Sequence, residues 1–242
     1  MHTAGWAFLL LFGALFEATT ANANVITFND RTSFLATSSV NTIDFEGIVP
    51  FNGAANYVYP FYQSLDPINI SGVDFSGIIT LQDGSKQSWF SIVGGSNVPF
   101  TVDGTASITG PYSYNLGAQG NQTGRLTVDL LGAYTAVAFD FNTDNRPEFP
   151  EFDFIGYLTN GDSFTAHAQR QSGFVGITSS TPFTGFFIDL PIPAQFNTIT
   201  RLNIDNFSFG DATIPEPAPG LLIVTGALLL FVIRVRATQN SE

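Results

Sequence analysis

Apolar residues between positions 24 and 210 alternate with polar ones in many short runs, and no segment keeps a helical period. In one run, Val137, Phe139 and Phe141 alternate with Ala138 and Asp140, which buries one face and leaves the other solvated. The chain has 23 Gly and 13 Pro residues, many of which separate these runs, and the runs recur at about 8–12-residue spacing. This spacing predicts an all-β fold, an antiparallel β-sandwich of the jelly-roll type.

Local signals place several elements within this body. Asp30 is expected to cap a helical turn whose Phe34 and Leu35 pack inward. A strand is expected over 68–75 with a bulge at Gly72, and a polar loop over 110–124. Strands over 152–158 and 163–168 flank Asn160-Gly161, a dipeptide typical of hairpin turns.

Charge and cysteine content exclude several functions. The net charge of -12 disfavours nucleic acid as a partner, because phosphate contacts need clustered cations. The chain has no Cys, which excludes disulfides and thiolate chemistry. An exported domain of this kind depends on its apolar core, to which most of the chain's 25 Phe residues contribute, or on a bound ion.

The first 23 residues have the pattern of a secretory signal peptide. An apolar segment over 4–16 is too short for a comfortable membrane span, and Ala21 and Ala23 supply the small residues that precede a cleavage site. We expect cleavage after Ala23 and a mature body that covers residues 24–210. The alternative is an uncleaved amphipathic anchor.

The carboxyl-terminal end has a different composition. A Pro-rich linker over 211–220 leads into a transmembrane helix with a basic stop over 221–236, and a tail over 237–242 follows. The uninterrupted apolar run of 13 residues over 221–233 spans roughly 20 Å as a helix, short of a ~30 Å hydrocarbon core. Positive charge after the span predicts that the body lies outside the cell.

This ending resembles the PEP-CTERM sorting signal of bacterial exported proteins. The resemblance rests on Pro215, Glu216 and Pro217 before the span, and on Arg234 and Arg236 after it. It implies an exosortase-type processing enzyme as a partner, with membrane attachment that ends when the tail is removed. Hosts of that family typically make exopolysaccharide. The alternative is a plain tail anchor without processing.

The body also resembles proteins that carry this tail. The resembling stretches are 34–35, 43–47, 72–75, 173–177, 181–183 and 204–210. The resemblance implies a jelly-roll domain similar to lectin or carbohydrate-binding modules.

Three acidic residues form a candidate Ca²⁺ site. The first and last strands lie side by side in jelly rolls of this type, which would bring Asp44 and Glu46 near Asp205. Carboxylate oxygens are ligands that Ca²⁺ prefers. The alternative is that Asp44 and Asp205 bind backbone amides or cap strands. A second acidic group surrounds a turn and consists of Asp140, Asp144, Glu148, Glu151 and Asp153.

Aromatic residues in a loop-like stretch are candidates for binding sugar. Tyr57, Tyr59 and Tyr62 could each bury the apolar face of a sugar ring. Trp89, Tyr112 and Tyr114 are further candidates, and the alternative is that these rings cover an open end of the sandwich.

Catalytic signals are sparse. His167 is the one histidine after the signal peptide, so a Ser-His-Asp triad would require it, and its strand-like surroundings favour a surface position. We therefore expect a non-enzymatic envelope protein associated with exopolysaccharide. A secreted glycan-active hydrolase, acting through two carboxylates, and a structural matrix protein without a specific ligand are the alternatives.

Overall fold

The computed structural model describes residues 25–46, 67–93, 107–143, 150–168 and 173–213. Within these ranges lie one short α-helix, one 3-10 turn at Gly117–Gln119 and twelve strands. The helix is α1 (Arg31–Leu35), and the strands are β1 (Val25–Phe28), β2 (Ser38–Ile43), β3 (Ile68–Ile70), β4 (Val73–Thr80), β5 (Lys86–Ser88), β6 (Ser91–Val93), β7 (Ser107–Asn115), β8 (Asn121–Asn142), β9 (Phe152–Leu158), β10 (Ser163–Ala168), β11 (Gly173–Asp189) and β12 (Ile199–Ala212). Every pairing among them is antiparallel, which confirms the all-β prediction.

The twelve strands belong to one hydrogen-bonded sheet, with the central order β10-β9-β11-β8-β12-β7-β6. The long strand β8 changes neighbours along its length. Its first half pairs with β4 and its second half with β12, while β11 follows its other edge. Long strands that change neighbours in this way let one sheet curl around a core.

Phenylalanine rings fill the core that the curled sheet encloses. Phe186 stacks on Phe139 at a centroid distance of 5.8 Å and on Phe207 at 6.2 Å. Phe154 packs edge-on to Phe164, and all five rings are buried. Burying one such side chain contributes about 1.5–3 kcal/mol, so a domain without cysteines can be held together by these contacts.

Helix α1 packs on the outside of the sheet. Asp30 caps it as predicted, because the Ser33 amide donates to Asp30 Oδ1 at 2.8 Å. Phe34 is fully buried between Phe28 and Phe174. The prediction for Leu35 is wrong, because a helix of five residues has one buried face and Leu35 lies on the solvent side, 46% exposed.

Two segments differ from their predicted structures. The segment 68–75 is a hairpin and not a bulged strand, because Ser71 and Gly72 both adopt positive φ, 51° and 83°, and reverse the chain. The segment 110–124 continues β7 and β8 around the 3-10 turn. A Cβ at Gly124 would lie 2.5 Å from the Tyr112 carbonyl oxygen, so this glycine permits close backbone packing and does not mark a loop.

The predicted β9–β10 hairpin is confirmed, whereas the predicted membrane span falls outside the described residues. Strands β9 and β10 have the predicted bounds, and Asn160 and Gly161 turn between them. Within the described ranges, no helix has the length and apolar character needed to cross a bilayer. The predicted span over 221–233 falls outside those ranges.

Candidate functional site

Most of the predicted site residues lie outside the described residues. These are Ala21, Ala23, Tyr57, Tyr59, Tyr62, Pro215, Glu216, Pro217, Arg234 and Arg236. The signal cleavage, the sorting motif and the sugar-binding tyrosine loop therefore stay predictions.

The predicted calcium residues follow or belong to two neighbouring strands, because Asp44 and Glu46 come after the end of β2 and Asp205 lies in β12. Strands β2 and β12 are neighbours, with Ile43 opposite Phe207. Asp44 and Glu46 are exposed, whereas Asp205 is fully buried. Among the described residues, no group of three or more acidic or histidine side chains is arranged to hold a metal ion. The Ca²⁺ site stays a prediction, which melting with and without chelator would test.

Both predicted aspartates accept local backbone hydrogen bonds. Asp44 Oδ1 accepts from the Glu46 amide at 3.2 Å, and Asp205 Oδ1 accepts from the Asn206 amide at 2.6 Å. The second bond lies in a β-bulge, where Asn206 has a φ of 47° and the register between β12 and β8 shifts. These bonds are those of the backbone alternative stated above.

Two members of the second acidic group bind cationic or amide side chains. The Asp140 carboxylate lies 3.0 Å from Arg31 Nη2 and accepts from Asn206 Nδ2 at 2.9 Å. Asp153 Oδ1 lies 2.7 Å from His167 Nδ1 across strands β9 and β10. Asp140 therefore fixes the helix and the bulge in place. Asp144 and Glu148 lie outside the described residues.

Trp89 and Tyr112 form an aromatic contact on the β7 side of the sheet. Their rings meet edge-on at 5.0 Å, and the Arg201 guanidinium lies 5.6 Å from the Tyr112 centroid. Burial raises the pKa of the Tyr112 hydroxyl. Tyr114 donates its hydroxyl hydrogen to Asn197. The partial burial of these rings fits a covering role.

A surface that the sequence did not reveal lies on the solvent side of five adjacent strands, β4, β8, β11, β9 and β10. We call it the outer face. Cross-strand register places its side chains in two rows that run perpendicular to the strands. The first row consists of Ile78, Arg125, Asp189, Ile155 and Thr165. The second row consists of Ser76, Thr127, Phe187, Tyr157 and Ser163.

Arg125 joins the two rows of the outer face. Its Nε and Nη2 donate to the two carboxylate oxygens of Asp189, at 2.6 and 2.8 Å. Its guanidinium lies 4.2 Å from the Phe187 ring centroid. The hydrogen bonds that Arg125 donates to Asp189 raise the pKa of Arg125, so its guanidinium stays charged across the physiological range.

Aromatic and aliphatic side chains next to this pair are open to solvent. Tyr157 stacks on Phe187 with centroids 5.0 Å apart and an angle of 23° between the rings. Tyr157 is 39% exposed and Ile155 is 43% exposed. The surface thus combines a partly exposed aromatic pair with a fixed set of donors and acceptors, a combination that can recognise a sugar ring.

A groove of about 570 Å³ begins beside Arg125 and extends toward β5. Thr80, Thr123 and Thr127 contribute hydroxyl groups to its lining, and Lys86 contributes an ammonium group at the β5 end. Hydroxyl groups both donate and accept hydrogen bonds, so they can pair with the hydroxyls of a carbohydrate.

Asp74 and Asp129 lie directly opposite each other on the same side of the sheet, one position beyond the second row. Asn69 Nδ2 donates to Asp74 Oδ1 at 2.7 Å. Burial, and then the neighbouring Asp74 charge, raise the pKa of Asp129 above its ordinary value. These two carboxylates add negative charge to the outer face.

The sequence contained one signal for the outer face. In strand β9, Phe154 and Leu158 are buried while Ile155 and Tyr157 are exposed, so both phases of the alternation carry apolar residues. A strand that is apolar in both phases has either two packed faces or one exposed apolar face.

Comparisons with protein-family models, curated proteins and solved structures found no match.

Proposed function

We propose that this protein is a non-enzymatic, exported component of the cell envelope that binds polysaccharide through the outer face of a jelly-roll-like body. The observation that carries the proposal is the stack of the exposed Tyr157 ring on the half-buried Phe187 ring beside the Arg125–Asp189 pair. An aromatic platform buries the apolar face of a sugar, and a charged fork beside it hydrogen-bonds the hydroxyls at the sugar's edge.

The export and sorting signals give this binding a location. The signal peptide would carry the body out of the cytoplasm. The PEP-CTERM-like ending would hold it at the membrane until an exosortase-type enzyme processes it, leaving the protein among surface exopolysaccharide.

A secreted glycan hydrolase is the second candidate. Asp74 and Asp129 are adjacent carboxylates beside the proposed sugar platform, and the raised pKa of Asp129 suits a general acid. Incubation with polysaccharides and analysis of reducing ends discriminates the two functions. Turnover that is lost in Asp129→Asn would support the hydrolase, and binding without turnover supports the proposed function.

A glycan array tests the proposal with the full-length protein. We expect binding to at least one polysaccharide or oligosaccharide, and a loss of about ten-fold in affinity for both Tyr157→Ala and Phe187→Ala. Phe196→Ala is the matched control, because Phe196 is 71% exposed and lies in neither row. Circular dichroism of each variant checks its fold. An array without any signal would favour the structural matrix alternative.

A further inference from the structure

We infer that the outer face binds interior stretches of a neutral polysaccharide chain, which lies across the strands along the two rows. This inference rests on the proposed function and specifies its ligand. It follows from the length of the rows and from the charges beside them.

The rows are long enough for several sugar rings. Each row crosses five strands from β4 to β10, and neighbouring strands are about 4.8 Å apart, so a row extends roughly 19 Å. A pyranose ring in an extended chain advances by about one strand spacing, so roughly four rings fit along a row.

The ends of the rows lie at the margins of the sheet. Ser163 and Thr165 are exposed on β10, whose described pairing is with β9. On the other side the groove continues to Lys86 on the short strand β5. Among the described residues, a chain laid along the rows can therefore extend past both margins, whereas a pocket for chain ends would need a closed side.

The charges of the outer face select against anionic polymers. The described residues of this side include two cations, Lys86 and Arg125. They also include four carboxylates, those of Asp74, Asp129, Asp153 and Asp189. The Arg125 charge is matched by Asp189, and the whole protein carries a net charge of -12. A uronate or sulfated chain would meet repulsion along most of its length.

The remaining hydrogen-bonding groups suit hydroxyls. The bidentate bond uses Nε and Nη2 of Arg125, which leaves Nη1 as a donor, and each Asp189 oxygen keeps a second lone pair. A fixed donor beside a fixed acceptor matches two neighbouring hydroxyl groups of a neutral sugar. Thr127 in the second row and Thr123 in the groove add hydroxyl partners.

Native affinity electrophoresis of the full-length protein tests the inference. The neutral probes are hydroxyethyl cellulose, xyloglucan, galactomannan and dextran, and the anionic probes are alginate and polygalacturonate. We expect at least one neutral polymer to retard the protein and neither anionic polymer to do so. Retardation should disappear in Tyr157→Ala and persist in Phe196→Ala.

Calorimetry with oligosaccharides of one to six rings, prepared from the retarding polymer, measures the length of the site. Affinity should rise at least about ten-fold between two and four rings and then level off. Retardation by anionic polymers alone, or a single ring that binds as tightly as four, would overturn this inference and leave glycan binding intact. Retardation by no polymer, or retardation that Tyr157→Ala does not change, would overturn the proposed function as well.

Discussion

Arg125 and Asp189, 64 residues apart in sequence, face each other on β8 and β11 and form two parallel hydrogen bonds on the surface of the sheet. Both side chains are about half exposed. An ion pair in such a position contributes roughly 0–1 kcal/mol to stability. In the proposed function its geometry therefore matters more than its energy, because it holds a planar donor and a carboxylate beside the Phe187 ring.

Arg125→Lys should separate recognition from stability. Lysine keeps the charge but cannot form a planar fork or stack on Phe187 in the same way. We expect the melting temperature to fall by less than about 3 °C, while polysaccharide affinity in native gels falls about ten-fold. Lys86→Arg is the control, because it keeps a cation at the far end of the groove. Unchanged affinity in Arg125→Lys would exclude the pair from the site.

Asp129→Asn should stabilise the protein at neutral pH. The folded state raises the pKa of Asp129, so it binds a proton more readily than the unfolded chain, and stability falls as pH rises above the ordinary value of 3.8 toward the folded pKa. The asparagine removes this cost. Melting temperatures should be higher than wild type at pH 7 and equal to it below the unfolded pKa.

Asp83→Asn should have the opposite effect on stability at neutral pH. Hydrogen bonds from the Ser85 hydroxyl and amide lower the pKa of Asp83, so its contribution to stability is present above pH 3.8 and is lost as pH falls through the folded pKa. This variant should melt below wild type at pH 7. If the melting temperatures of Asp129→Asn and Asp83→Asn shift in the same direction at pH 7, the opposite pKa shifts given for the two aspartates are contradicted.

Gly176→Ala should destabilise the fold through Phe34. A Cβ at position 176 would lie 2.6 Å from Cδ2 of the buried Phe34 ring, which packs over this glycine. Overpacking of this kind costs about 1–3 kcal/mol in urea denaturation. In the double variant with Phe34→Leu, the loss should be smaller than the sum of the single losses. Strict additivity would show that the two positions do not compete for space.

Local signals in the sequence were enough for the shortest elements. Strands β9 and β10 alternate regularly, and Asn160-Gly161 accepts the positive φ that a tight hairpin needs. The long strand β11 is less regular, because its register with β8 shifts after Thr178 and again after Phe183. These irregularities come from neighbouring strands, which the local pattern does not contain.

The outer face depends on register between distant strands. No local pattern pairs Arg125 with Asp189, or Phe187 with Tyr157. Each aromatic residue lies in an apolar run, where a core position is the usual outcome, so the sequence directed attention to tyrosines in loops. Sequence analysis therefore predicted an all-β fold, but not the strands on which Tyr157 and Phe187 meet.

Arg31 should affect the stability of helix α1 without affecting the stability of the sheet. Its guanidinium donates to Ser208 Oγ and to the Asn206 carbonyl oxygen, both at 3.2 Å, and lies 3.0 Å from the Asp140 carboxylate. Arg31→Met removes these bonds, while Asn206 Nδ2 still donates to Asp140. We expect a loss of about 1–3 kcal/mol and faster hydrogen exchange at the amides of Phe34 and Ala36, with no change in β9 and β10.

Thr32→Ala, an exposed change in the same helix, should leave these rates near wild type. If the Phe34 amide exchanges at the wild-type rate in Arg31→Met, burial of the Phe34 ring alone holds the helix against the sheet.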